Sequence, residues 1–245
     1  MQNRVASPAA IAENNAEVKK QNNPVNQVTT ATALSQLSDD DAYSLIVSSR
    51  SVDMPNHIAD IADDTQKFVF KANLNEKPTV LDSKAFKQYM KDNNITQGEI
   101  MARSVNAASY HSGGVNYSFS ADQINDMVKY GKYNYIGGKR GGQVYGAGTY
   151  FEMNGGHNTG YGRGATMRAV LSKNARVISE HNIPNAWKAY TATHPKVATA
   201  GHIPRSVKAL LMGYNVITTA GGNSRSAGNG QYYNVIDRSA LVIEK

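Results

Sequence analysis

Val144-Tyr145-Gly146-Ala147-Gly148-Thr149-Tyr150-Phe151 is the stretch on which the reading of the fold turns. Aromatic and β-branched residues suit a pleated, half-buried surface, and glycine lets the backbone approach a neighbour or ligand closely. Residues 143–151 therefore read as a strand whose aromatics are bracketed by Gly146 and Gly148. The same texture surrounds it. Residues 99–105, 166–171, 176–179, 214–219, 231–236 and 240–243 are short apolar runs that read as strands. Between them, residues 120–130 read as a helix capped by Ser120, with Ile124, Met127 and Val128 on one face. Residues 183–193 form a second helix around Trp187, and 206–212 a third that ends at Gly213. Short strands with a few intervening helices predict an α+β domain over residues 100–245.

Upstream the texture differs. Residues 41–99 read as a helical lobe. Ser38-Asp39-Asp40-Asp41 supplies a cap and N-terminal negative charge ahead of Tyr43, Leu45, Ile46 and Val47. Ile58, Ile61 and Ala62 continue at helical spacing, and Phe86 and Met90 stand at i, i+4. Residues 1–40 are rich in Asn, Gln, Ala, Thr and Ser, too polar to offset chain entropy by burial. They are expected to form a disordered or partner-bound tail.

Charge and glycine follow the same boundary. The 245 residues carry a formal charge of +7, but residues 100–245 alone carry +10, against −2 for 41–99 and −1 for 1–40. All but one of the 21 glycines, Gly98, lie beyond residue 100. A basic, glycine-rich half suits a phosphate-bearing partner, and equally a loop-rich domain with a basic surface. Cysteine is absent, which excludes disulfides, Cys–zinc centres and thiol catalysis. No run approaches the roughly 18 apolar residues of a membrane span, and Met1-Gln2-Asn3-Arg4 opens no apolar signal core. A soluble protein tolerant of a reducing compartment is expected.

Common catalytic signatures are missing: no phosphate-binding Walker loop, no His-Glu-x-x-His, no Gly-x-Ser-x-Gly. The six histidines (57, 111, 157, 181, 194, 202) show no metal spacing, so no metal site is expected. Gly160-Tyr161-Gly162-Arg163-Gly164 has the look of a phosphate loop and fits a flexible hairpin better.

Three separated elements do share one chemistry. Arg103 lies inside an apolar strand, Met101-Ala102-Arg103-Ser104-Val105, where a guanidinium must find an anion or reach solvent. Gly148-Thr149-Tyr150-Phe151 follows, with Tyr161 ten residues beyond its end. The third is Gly213-Tyr214-Asn215-Val216-Ile217, then Gln231-Tyr232-Tyr233-Asn234-Val235-Ile236-Asp237-Arg238-Ser239-Ala240-Leu241.

In that order, over residues 95–245, the chain resembles the ADP-ribosyltransferase superfamily, in particular the transferase-like domains that tailed phages attach to minor head proteins. The resemblance implies a split β-sheet core and NAD as substrate. It gives Arg103 the first-strand role of binding NAD and makes Gly148-Thr149-Tyr150-Phe151 similar to the Gly-x-Tyr-Phe strand. Arg103 would hold the pyrophosphate or adenosine ribose with its planar fork. Tyr150 would stack on nicotinamide, with Tyr161 a second aromatic, while Gly148 and Thr149 lie where the backbone orients the carboxamide. Gln231 or Tyr233 would contact the nicotinamide ribose or the acceptor.

One departure weighs on this. Where the family carries Gln/Glu-x-Glu, this chain reads Gln231-Tyr232-Tyr233, and no acidic residue lies between Glu180 and Asp237. Tyr233 can hydrogen-bond, but at neutral pH it brings no charge to a cationic transition state. Two expectations therefore stand side by side. One is a phage-type, toxin-like mono-ADP-ribosyltransferase (or NAD glycohydrolase) acting on a host protein in the host cytoplasm. The other is a virion binding protein that keeps the fold, docked to a head or portal component through residues 1–99. Nucleic-acid binding by the basic half is a weaker third, lacking a recognised module. Each residue also has a plain structural role open to it. Arg103 could pair with Asp237, Tyr150 and Phe151 could fill a core, and Gln231 to Tyr233 could leave a hairpin.

Overall fold

The short apolar runs beyond residue 100 pair edge to edge, and what they build is visible in a computed structural model. It describes residues 30–54, 64–74, 77–104, 148–153, 166–219 and 232–245. Eight strands are described: β1 (Thr79–Leu81), β2 (Met101–Ser104), β3 (Thr149–Met153), β4 (Thr166–Leu171), β5 (Val177–Ser179), β6 (Val216–Thr219), β7 (Tyr232–Val235) and β8 (Leu241–Glu244). They hydrogen-bond as one continuous sheet in the order β1-β8-β4-β2-β3-β7-β6-β5. The outermost pairs, β1 with β8 and β5 with β6, are parallel, and the ladders between them are antiparallel. The fold is thus mixed α and β on a single sheet. The described ladder shows no break of the kind a split core would make.

Among the described residues seven α-helices accompany it: α1 (Ala31–Leu34), α2 (Asp39–Ser49), α3 (Asp64–Lys71), α4 (Ser83–Asp92), α5 (Ile183–Thr193), α6 (Pro195–Ala198) and α7 (Arg205–Leu211). Local chemistry starts several of them. Ser38 caps α2 by accepting from the Asp41 amide, Asp82 caps α4 through Ala85, and Pro184 stands in the first turn of α5. At the end of α7, Gly213 has a φ of 80°, and the Tyr214 amide turns back to the Ala209 carbonyl at 2.9 Å. A Cβ at Gly213 would strike the Arg176 guanidinium and come within 2.9 Å of Ser35 Oγ. Besides the unfavourable φ, any other residue here would have to displace those two side chains.

Residues that pair directly across a ladder share a face, so the registers sort the sheet into two sides. One side carries Met101, Arg103, Phe151, Met167, Ala169, Val216, Tyr233, Val235, Leu241 and Ile243. Apart from Arg103, these form an apolar cluster to which no described α-helix contributes. The opposite side takes the helices. Ile178 and Ile217 pack with α2, α3 and α7 through Leu45, Phe68, Val207 and Leu210. Val170 and Val242 pack with Phe86 and Met90 of α4. Full burial of a side chain such as Phe68 or Leu210 stabilises the fold by about 1.5–3 kcal/mol.

The boundaries drawn from sequence are crossed by these contacts. Thr79–Leu81, assigned to the helical lobe, is an edge strand of the sheet through β8. Residues 30–40, assigned to the tail, include α1, whose Ala31 and Leu34 are fully buried. The Ala31 amide donates to Asp237, a residue of the far end of the chain. Residues 1–29, the Ile58, Ile61 and Ala62 pattern, and the helix expected at 120–130 lie outside the described residues.

Candidate functional site

Strands β2, β3 and β7 carry the residues singled out in the sequence, and they are consecutive neighbours in the sheet. Their registers run Ala102 to Glu152 to Tyr232, and Tyr150 to Asn234. Arg103 is 3% exposed on β2 and donates from Nη1 to the backbone carbonyl of Tyr150 at 3.1 Å. A charged donor to a carbonyl makes a stronger bond than a neutral one, and here it ties β2 to β3 beyond their last paired residues. The two side chains do not meet across a cleft, however. Met101 pairs with Met153 on the apolar side, which places Arg103 and Phe151 on that side too. Tyr150, one residue before Phe151, leaves from the helix-covered side. The guanidinium holds the tyrosine's backbone, and the phenol points the other way.

Tyr233 shares the side of Arg103. It is 8% exposed, pairs with Phe151, and donates its hydroxyl to the Met153 sulfur at 3.8 Å. Burial pushes its phenol upward, and the negative charge of Glu99 adds to this. It is therefore a neutral group whose single O–H goes to a sulfur, at the position where a carboxylate was sought. Thr149 is buried beside Val235. Gly148 is buried against Asn234. A Cβ there would overlap the Asn234 amide, standing 2.8 Å from its Cγ and 3.1 Å from the Val235 carbonyl oxygen. Its glycine is explained by this contact. Gln231 and Tyr161 lie outside the described residues.

Asp237, the alternative mate for Arg103, commits its oxygens elsewhere. Oδ2 accepts from the Ala31 amide at 3.1 Å and from Asn215 Nδ2 at 2.6 Å. Oδ1 accepts from the amide and hydroxyl of Ser239 at 3.0 and 2.6 Å. A 1% exposed carboxylate with four donors is a structural junction between α1, the start of β6 and the turn before β8.

Sequence reasoning missed the residues between these. On the helix-covered side, the two apolar packs stand over β5–β6 and over β4–β8, and the central strands present Ala102, Tyr150, Glu152, Tyr232 and Asn234 instead. Glu152 is 5% exposed, and its Oε2 has no hydrogen-bond partner among the described residues. Asn234 is fully buried with both amide atoms in the same condition. Burial raises the Glu152 carboxyl above its ordinary value. Tyr150 and Tyr232 are only half-buried, so the polar strip reaches solvent between its helical walls. The one signal in the sequence was a Glu two residues after Tyr150 in an otherwise apolar strand, on the same face by alternation.

Chemically, the strip offers a buried carboxylate acceptor, an amide that can donate and accept, and two aromatic rings. Among the described residues no group of His, Asp and Glu side chains is arranged to hold a metal ion. No described helix is long and apolar enough to cross a membrane. Compared with protein-family models, with curated proteins and with solved structures, the chain shows no match in any of the three.

Proposed function

We propose that the protein is an NAD-dependent ADP-ribosyltransferase of phage type, transferring ADP-ribose to a host protein. The observation that carries this reading is the adjacency of β2, β3 and β7. Three motif segments far apart in sequence become neighbouring strands of one sheet. Arg103 acts from the back of the sheet, fixing the Tyr150 backbone so that the phenol stands at a set position for stacking. Gly148 keeps the chain against Asn234 at the mouth of the same strand. NAD is a substrate in this reading, and its flat, amide-bearing ring suits the tyrosines and polar groups of the central strip.

A second reading has its own support. Tyr233 is buried, neutral and hydrogen-bonded to Met153. A virion-associated binding module that keeps the fold without turnover would need no carboxylate there, and would dock to a head or portal component through residues 1–99. Fold alone does not decide between the two.

Labelled NAD incubated with the protein and a host lysate separates them. Transfer of label to a lysate protein supports the transferase, and nicotinamide release without transfer supports glycohydrolysis. Tyr150→Phe should retain turnover because the ring remains, whereas Tyr150→Ala should lose about a hundredfold or more. Neither labelling nor release by the unaltered protein would overturn the enzyme in favour of the binding module.

A further inference from the structure

Two apolar helical packs flanking a polar strip is an arrangement that hydrophobic burial alone does not produce. An aliphatic side chain at position 152 would have continued apolar burial toward the strip's centre. Instead a carboxylate is buried there with an unpartnered oxygen, directly opposite Tyr232 on one side and Ala102 on the other. Leaving such an acceptor unmade is costly, and an unpaired buried charge more so. That deficit is removed by a ligand that brings a positive charge and an N–H. Cross-strand neighbours have Cβ atoms about 4.5–5.5 Å apart, close enough for a flat group to touch Glu152 and an adjacent tyrosine together. Aromatic faces also attract cations.

We propose that Glu152, with Tyr150, Tyr232 and Asn234 around it, is a subsite for the planar, positively charged, N–H-bearing end of a ligand. The charge preference stands on the strip itself. Its identification with the pyridinium carboxamide of NAD rests on the transferase reading above. The charged or titratable groups of the described strands facing Glu152 are Tyr150 on its own strand and Tyr232 on β7. Ala102 on β2 contributes none, and Arg168 on β4 is already paired with Glu244 at 2.7 Å. Nothing else described there supplies the missing cation.

The test uses two small probes of one shape, the 1-methylnicotinamide cation and neutral nicotinamide, with binding to the full chain followed by NMR or equilibrium dialysis. The unaltered protein should bind the cation about tenfold tighter or more, equivalent to about 1.4 kcal/mol. Glu152→Gln, which keeps the shape and removes the charge, should erase that preference. If this variant fails to fold, the unaltered protein is titrated to acid pH instead, where the preference should vanish as the carboxyl protonates. Equal binding of both probes, a preference that survives Glu152→Gln or acidification, or no binding of either would overturn the subsite. Nicotinamide release from NAD is measured in parallel. Turnover with no charge preference sinks the subsite and leaves the transferase, whereas preference without turnover does the reverse.

Discussion

The Arg103 guanidinium crosses from β2 to the carbonyl of Tyr150 on β3, 3.1 Å away, while the two side chains leave the sheet on opposite faces. Arg103 therefore acts on Tyr150 through the backbone. Arg103→Ala should lower stability by about 1.5–3 kcal/mol, the range for a hydrogen bond to a charged group. Arg103→Lys should restore part of it. Urea unfolding at neutral pH reads both, and an unchanged midpoint in the alanine variant would contradict the tie.

A Cβ at Gly148 would enter the space held by the Asn234 amide. Gly148→Ala should destabilise by about 1–3 kcal/mol, as overpacking of a tight interior does. Gly98 meets nothing nearer than Thr96 Oγ1 at 3.9 Å, so Gly98→Ala is the control and should change little. Shortening the obstruction with Asn234→Ala should recover part of the loss in the double variant, a coupling that a thermodynamic cycle measures.

Removing the carboxylate at the junction with Asp237→Ala strands the Ala31 amide, Asn215 and Ser239. With about 1–3 kcal/mol for each orphaned buried group, a total loss of at least about 3 kcal/mol is expected. Limited proteolysis should show cleavage near α1 rising before the rest of the chain opens.

Glu152 gives the protein a pH signature. Its carboxyl is raised in the folded state by burial, so ionisation opposes folding. The penalty is absent below the unfolded carboxyl's value and complete above the folded one. Glu152→Gln should match the unaltered protein in acid and exceed its stability at neutral pH. Thermal melts across that range check the sign, and a gap that widens toward acid would reverse the assignment.

Tyr190 on α5 has its phenol pushed up to about 12 by burial, with the charge of Asp39 adding to it. Its ring stacks between Trp187 and His194 at centroid distances of 5.2 and 4.0 Å. Tyr190→Phe keeps the stack and removes a buried hydroxyl that has no hydrogen-bond partner among the described residues. An ultraviolet titration should then lose a late-ionising tyrosine, with stability unchanged or slightly higher.

Much of the architecture was legible in the chain because its causes are local. The Ser38 cap, the Phe86 and Met90 pair, Gly213 after α7, and the strands at 166–171 and 177–179 each follow from a few adjacent residues. Thr79–Leu81 was not legible as a strand. Three residues carry little periodicity, and they are extended because β8 pairs with them. The Asp39 carboxylate, read as a charge at its own helix start, also receives the Lys196 and Val197 amides at the start of α6. That second role depends on a contact spanning more than 150 positions.

The candidate site divides along the same line. Residue types and their order placed Arg103, Thr149, Tyr150 and Tyr233 on strands, because alternation and turn chemistry are written in neighbouring residues. Which strands lie side by side, and so which face each side chain takes, was set by pairing between distant segments. A ladder shifted by one residue would have exchanged every face. That pairing turned Arg103 away from the Tyr150 ring and set Glu152 beside Tyr232, a juxtaposition that spacing along the chain does not encode.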